Sequence, residues 1–186
     1  DDNMSKRAIF IRSGGLGDFV LTLPALSRAL ALYDETILFA RTAYHCLVRD
    51  YSNSLTVKDI DSNLGTLGQV LPNADVITFW QDEEWKEELR IGGGRNLYFL
   101  ESRPTGNSHV SEAMFLKLGW EWSKEYFAKA WLGDHWSGGN SLLWVHAGSG
   151  GTRKNAPLSR FVELARKWLE IKSENRVTFS FGEADN

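Results

Sequence analysis

Two short glycine-rich turns hold most of the residues in this chain that could do chemistry. The first reads Arg12-Ser13-Gly14-Gly15-Leu16-Gly17-Asp18, the second His146-Ala147-Gly148-Ser149-Gly150-Gly151-Thr152-Arg153-Lys154-Asn155. Each follows a short apolar run and leads into a helical pattern. Glycine lets backbone N–H groups approach a ligand closely, and a helix N-terminus carries partial positive charge, so such a turn suits phosphate or another anion. One turn carries an acid and the other adjacent cations, the pattern expected of a cleft between two α/β halves.

Asp18 has two readings. It is a general base aimed into that cleft, where a positioned base contributes about 10²–10⁴-fold in rate. Alternatively it is a cap or first-turn acid of the following helix, worth about 0.5–2 kcal/mol of stability. Arg153 and Lys154 would neutralise a phosphate or diphosphate beside the N–H groups of Ser149, Gly150 and Thr152, or are simply solvated. Cations at a helix start oppose its dipole by about 0.3–1 kcal/mol, which favours the ligand reading. His109 either meets a ligand or bonds locally at a helix start. Trp80 and Trp85 offer a sugar-stacking face or core packing. His45, His135 and His146 have no metal-ligand spacing with Cys46 or with each other. Two familiar phosphate motifs are absent. Val20 stands where the dinucleotide fingerprint needs a third small residue, and Gly150-Gly151-Thr152-Arg153-Lys154 lacks the P-loop spacing.

The elements that must position these residues alternate. Strands are expected at residues 8–11, 36–40, 55–60, 75–79 and 96–101, and helices at 18–32, 43–49, 65–70, 82–90 and 108–118. Pro24 should kink the first helix, and Gly119 should stop the last. Strands alternating with helices predict an α/β fold with a Rossmann-like, mainly parallel sheet of about five to seven strands over residues 4–135, helices covering both faces. Residues 134–141 read as a linker, and the pattern then restarts. A strand at 142–146 is followed by the second glycine turn, by a helix capped by Asn155 with Pro157 in its first turn, and by a strand at 176–181. Phe161, Leu164, Ala165, Trp168 and Leu169 form that helix's apolar stripe. This places one domain at residues 1–138 and the beginning of a second at 139–186. One strand–helix–strand unit would leave sheet edges and apolar faces uncovered.

The chain has 186 residues, 42% hydrophobic content and a net charge of −3. No lysine/arginine block stands out, which argues against nucleic acid as a partner. A single cysteine excludes an internal disulfide and fits a reducing, cytoplasmic setting. The first strand begins so early that no signal peptide is expected ahead of it. The longest apolar run, residues 19–32, is broken by Pro24 and Arg28 and is too short to span a bilayer.

The segment from Ile11 through Gly14-Gly15-Leu16-Gly17-Asp18 to Leu23-Pro24-Ala25-Leu26 resembles the opening signature of the bacterial heptosyltransferases, glycosyltransferase family nine. The helix His109-Val110-Ser111-Glu112-Ala113-Met114 is similar to their mid-chain histidine helix, and His146 to Phe161 resembles their donor segment. The resemblance implies a B-type, two-domain glycosyltransferase architecture whose second domain is incomplete here. The acceptor would lie on the N-terminal half, near Ser13, Gly14, Gly15 and His109. Asp18 matches the family's catalytic base. Lys154 matches the lysine that meets the donor diphosphate, with Ser149, Gly150, Thr152 and Arg153 in the phosphate-contacting turn. The implied reaction is inverting transfer of a heptose-like sugar from an ADP-sugar to a lipopolysaccharide core or related glycan, with no cofactor and no metal. The implied setting is the cytoplasm, with peripheral contact on the cytoplasmic face of the inner membrane. The family usually places a glutamate soon after the last strand's glycine, and here Gly182 is followed by Glu183, Ala184 and Asp185. A second function class remains open, a truncated, non-catalytic module that binds a sugar or a partner.

Overall fold

The computed structural model describes residues 6–129, 131–132, 141–148 and 155–181. The chain falls into two compact units, Asp1–Gly133 and Asp134–Asn186.

The first unit is built on five parallel strands: β1 (Arg7–Arg12), β2 (Glu35–Ala40), β3 (Leu55–Asp59), β4 (Asp75–Thr78) and β5 (Asn96–Phe99). Their order is β3-β2-β1-β4-β5. The chain winds outward from β1 through β2 and β3, then crosses back to place β4 on the other side of β1. The register sets Ile9 beside Ile37 on one flank and Val76 on the other. Because both faces are covered, these strands show continuous apolar runs rather than alternation. Phe10, Leu38 and Ile77 pack on one face against Phe19, Leu23 and Leu26 of α1 (Leu16–Leu32) and Met114, Phe115 and Leu118 of α6 (Val110–Leu118). Ile9, Ile11, Ile37, Phe39 and Val76 face the other way. They meet Ile60 of α3 (Ile60–Asn63), Leu67 of α4 (Leu67–Val70), and Trp85 and Leu89 of α5 (Glu83–Ile91). The α/β, two-sided parallel sheet expected from the alternation is therefore present.

Local chemistry moves several boundaries. Ile60, expected in a strand, opens α3, because the Asp59 side chain accepts the Ser62 backbone N–H at 3.2 Å and turns the chain into a helix. The helix expected at 43–49 is α2 (Thr42–His45). Beyond it the bonds tighten to i→i+3, from Leu47 N to Tyr44 O and from Val48 N to His45 O, and the helix does not propagate. The helix expected at 65–70 is split into a 3₁₀ turn, Leu64–Thr66, and α4. α1 runs as one helix with Pro24 inside it. Gly119 ends α6 in the left-handed conformation, at φ 69°, as a C-terminal glycine should.

In the second unit β6 (Leu142–His146) and β7 (Arg176–Ser180) pair in parallel, joined by α7 (Leu158–Ile171). Pro157 is the residue that flanks α7. Its extended ψ of 133° places the helix start at Leu158, so Asn155 is not the cap. Of the expected stripe, Ala165 is buried, while Leu164 and Leu169 remain about half exposed, at 51% and 48%. Trp168 donates its indole N–H to the Arg176 carbonyl at 3.2 Å, and Asn175 donates its side-chain amide to the Trp168 carbonyl at 2.7 Å. Trp144 of β6 and the two end residues of α7, Leu158 and Ile171, are exposed.

Candidate functional site

In an open parallel sheet, ligands bind outside the carboxyl ends of the strands, at the point where the strand order reverses. Here that point lies between β1 and β4. The turn leaving β1 carries Ser13, Gly14 and Gly15 into α1. The turn leaving β4 carries Phe79, Trp80 and Gln81. The two turns are tied together, because the Trp80 indole donates to the Ser13 hydroxyl at 2.7 Å. Trp80 meets Trp85 edge-on at 5.0 Å between ring centroids. It is half-buried and packs on the core face that holds Trp85.

The glycines in the β1 turn are there for geometric reasons. Gly14 has φ +119°, a conformation L side chains rarely adopt, and a Cβ there would stand 3.1 Å from Asp18 Oδ2. Gly15 flanks α1 in an extended conformation and makes no side-chain cap. Asp18 is therefore not an N-cap. It lies in the first turn of α1, and its side chain is 42% exposed. The first-turn N–H groups of α1 face the same end of the sheet.

Behind Asp18 lies a residue to which the glycine-turn motif assigns no role. Arg12 ends β1, and its side chain is only 2% exposed. Its guanidinium sits 3.8 Å from the centre of the Phe79 ring and donates to the Ser102 hydroxyl at 2.7 Å. Burial lowers its pKa from the ordinary value while the neighbouring Asp18 raises it. An arginine so placed remains a cation. A charge closing a buried strand at the ligand end of the sheet is a sequence signal that could have marked it.

His109 caps α6, and its Nδ1 accepts the Ser111 backbone N–H at 3.2 Å. The local-bonding alternative thus describes Nδ1, which leaves the proton of the neutral ring on Nε2. The ring stacks near Trp122 and meets Phe127 edge-on. α6 is tied to α1 by the Ser111 hydroxyl donating to the Leu21 carbonyl at 2.7 Å. Ser13, Gly14, Gly15 and Asp18 therefore share one turn, while His109 belongs to a second element braced on α1. Next to Ser102, the loop after β5 and one side of α6 enclose an open pocket of about 580 Å³, with Glu101, Ser108, Glu112, Lys117, Trp120 and Trp122 among its walls. Ser149, Gly150, Thr152, Arg153 and Lys154 lie outside the described residues, as do Glu183 and Asp185. Among the described residues no His/Cys/Asp/Glu group could hold a metal ion, and no helix is long and apolar enough to cross a membrane.

No protein-family model matches this sequence, and no curated protein sequence does. Solved structures do match. The glycosyl transferase family 9 structure from Veillonella parvula DSM 2008 superposes with a TM-score of 0.64 at 17% identity, over 97% of this chain and 63% of that one. The E. coli heptosyltransferase WaaC with ADP gives 0.61 at 12% identity, over 95% of this chain and 68% of the other. The same enzyme with ADP-2-deoxy-2-fluoro heptose gives 0.58 at 12% identity. At these identities the likeness is one of fold. The chain has a heptosyltransferase-like, B-type glycosyltransferase fold and spans less than two thirds of the Veillonella structure's length.

Proposed function

We propose that this chain is a glycosyltransferase, or a piece of one, that moves a heptose-like sugar from an ADP-sugar to a lipopolysaccharide-core or related glycan acceptor with inversion. The observation that carries the reading is the placement of Asp18. A half-exposed carboxylate stands in the first turn of α1, at the strand-order reversal of a sheet whose solved neighbours are a family 9 glycosyl transferase and a heptosyltransferase. In this reading Asp18 takes the proton from an acceptor hydroxyl as that oxygen attacks the anomeric carbon from the face opposite the leaving diphosphate. The acceptor lies along Ser13, Gly14 and Gly15, with His109 at its flank. Nε2–H is then the ring atom left to meet an acceptor oxygen. Ser149, Gly150, Thr152, Arg153 and Lys154 hold the donor diphosphate, since a glycine turn with two adjacent cations balances the charge that leaves. The protein works in the cytoplasm and meets its acceptor at the inner-membrane surface.

The test is calorimetric titration of the complete reading frame that carries this sequence, with ADP, with ADP-heptose and with a lipopolysaccharide-core glycan, followed by a transfer assay on that acceptor. Binding plus transfer supports the reading. Binding of the acceptor glycan without any transfer would replace it by a non-catalytic module, and binding of neither would end both.

A further inference from the structure

The strand that leads into the site ends in a charge with almost no access to water. Arg12 is held on several sides by parts of the chain far apart in sequence. The Phe79 ring, from the turn after β4, lies under its guanidinium at 3.8 Å. The Ser102 hydroxyl, from the loop after β5, accepts from Nη1 at 2.7 Å. The Asp18 carbonyl accepts from Nε at 3.3 Å. The remaining nitrogen, Nη2, makes no hydrogen bond and lies 3.5 Å from Asp18 Oδ1. Side-chain exposures of 2% for Arg12 and 42% for Asp18 set their roles apart. The carboxylate can meet a ligand, and the guanidinium can meet the carboxylate.

Burying a guanidinium costs several kcal/mol unless its donors are used, so a strand end that only had to pack would do better with an apolar residue. Phe79 and Ser102 fix the plane of the fork, and a fixed fork constrains a carboxylate more closely than a freely turning ammonium can. On the reading of Asp18 as the base, we propose that Arg12 is its positioning residue. The guanidinium, locked by Phe79 and Ser102, holds the Asp18 side chain in one orientation toward the crevice between β1 and β4. Arg12 touches no substrate and acts only through Asp18.

The experiment reads the Asp18 side chain directly. In the chain as it stands, the Asp18 Hα–Hβ scalar couplings should report a single χ1 rotamer. Arg12→Met keeps the stem over Phe79 and removes the fork, so the couplings should move to averaged values, with Arg12→Lys between the two. The contact can also be read from the other side if Arg12→Met does not fold. Asp18→Asn, at a half-exposed position, should shift the Arg12 Nη signals of the folded protein. Unchanged couplings in folded Arg12→Met, or unchanged Arg12 signals in Asp18→Asn, would overturn the proposal. In the complete reading frame, Arg12→Met should lower kcat about 10–100-fold with the acceptor KM within about twofold. It should cost nothing further in an Asp18→Asn background, and Arg12→Lys should recover part of the loss. An equal loss in both backgrounds would make Arg12 a structural staple. If Asp18→Asn alone turns over at the wild-type rate, the base reading fails, and the couplings still decide whether Arg12 orients Asp18.

Discussion

The Trp80 indole N–H donates to the Ser13 hydroxyl at 2.7 Å, and this bond joins the turn that follows β4 to the turn that follows β1. These are the two loops on either side of the strand-order reversal. The bond ties the two sides of the crevice together and uses one of the two lone pairs of the Ser13 oxygen. Trp80→Phe keeps an aromatic ring against Trp85 and deletes the donor. We expect a stability loss of about 1 kcal/mol in urea unfolding, the usual net value of one hydrogen bond. We also expect faster hydrogen exchange at the amides of Ser13 and Gly14. Unchanged exchange there would show that the two turns hold their shape independently.

Gly14 and Gly17 sit three residues apart and should respond in opposite directions to alanine. Gly14 combines φ +119° with a virtual Cβ 3.1 Å from Asp18 Oδ2. Gly14→Ala therefore strains the backbone and displaces the carboxylate, with an expected cost of about 1–3 kcal/mol. Gly17 is inside α1, and nothing lies within 4 Å of its virtual Cβ. Gly17→Ala should be neutral or stabilise by about 0.5 kcal/mol, through the lower backbone entropy of the unfolded chain. Thermal unfolding of both variants under one condition checks the pair. A Gly14→Ala protein as stable as wild type would mean that the turn is free to rearrange.

Much of this arrangement is legible before folding, for physical reasons. A glycine turn after a short apolar run marks the end of a buried parallel strand, so β1, α1 and the β1 turn could be read directly. Strand order could not. Phe10 and Ile9 are both apolar because both faces of the sheet are buried, and such a run carries no period that says which strand lies beside it. Arg12 stands in the motif, but its role is not legible there, since its partners Phe79 and Ser102 arrive from distant segments. Asp59 shows the opposite limit. A local side-chain cap converted Ile60 from an expected strand end into a helix start, and a one-residue shift of that kind is below what apolar patterning resolves.

Asp18→Asn preserves the shape of the carboxylate and removes its basicity. In the complete reading frame it should lower transfer about 10²-fold or more, the range for a lost general base, while ADP affinity stays near wild type. Lys154→Ala should do the reverse at the binding step, weakening ADP by about 1.5–3 kcal/mol through a lost charge-assisted bond to phosphate. Single-turnover kinetics and ADP titration of the two variants separate the roles. Wild-type turnover in Asp18→Asn would leave Asp18 as a first-turn acid of α1, and wild-type ADP affinity in Lys154→Ala would leave Lys154 as a surface charge.

Asp75 makes the acid limit of stability predictable. It opens β4 at the end of the sheet opposite the site, is 4% exposed, and accepts from Arg95 Nε at 2.7 Å, Tyr33 Oη at 2.8 Å and Asn96 Nδ2 at 2.9 Å. Burial alone would raise its pKa, but the hydrogen bonds from Arg95, Tyr33 and Asn96 outweigh it and hold the carboxyl below its ordinary value. A depressed folded-state pKa contributes stability that is fully present above the unfolded value of about 3.9 and is lost as pH falls through the folded one. The wild-type protein should therefore hold this contribution through neutral pH and lose it only below about pH 4. Tyr33 sets the other limb. Its burial, and then its bond to Asp75, raise its pKa, so its contribution is present below the unfolded tyrosine value of about 10 and fades as pH climbs beyond it. Asp75→Asn should cost about 2–3 kcal/mol at pH 7, the value of hydrogen bonds to a charged group. Arg95 remains partly solvated, and this limits the penalty of its stranded charge. The gap between wild type and variant should narrow as pH falls below about 4, where the unfolded carboxyl takes up its proton first and the folded Asp75 follows at lower pH. Urea unfolding at pH 7, 5, 4 and 3 tests this. A gap that stays constant down to pH 3 would show that Asp75 stabilises the fold through its shape and its neutral hydrogen bonds, not through its charge.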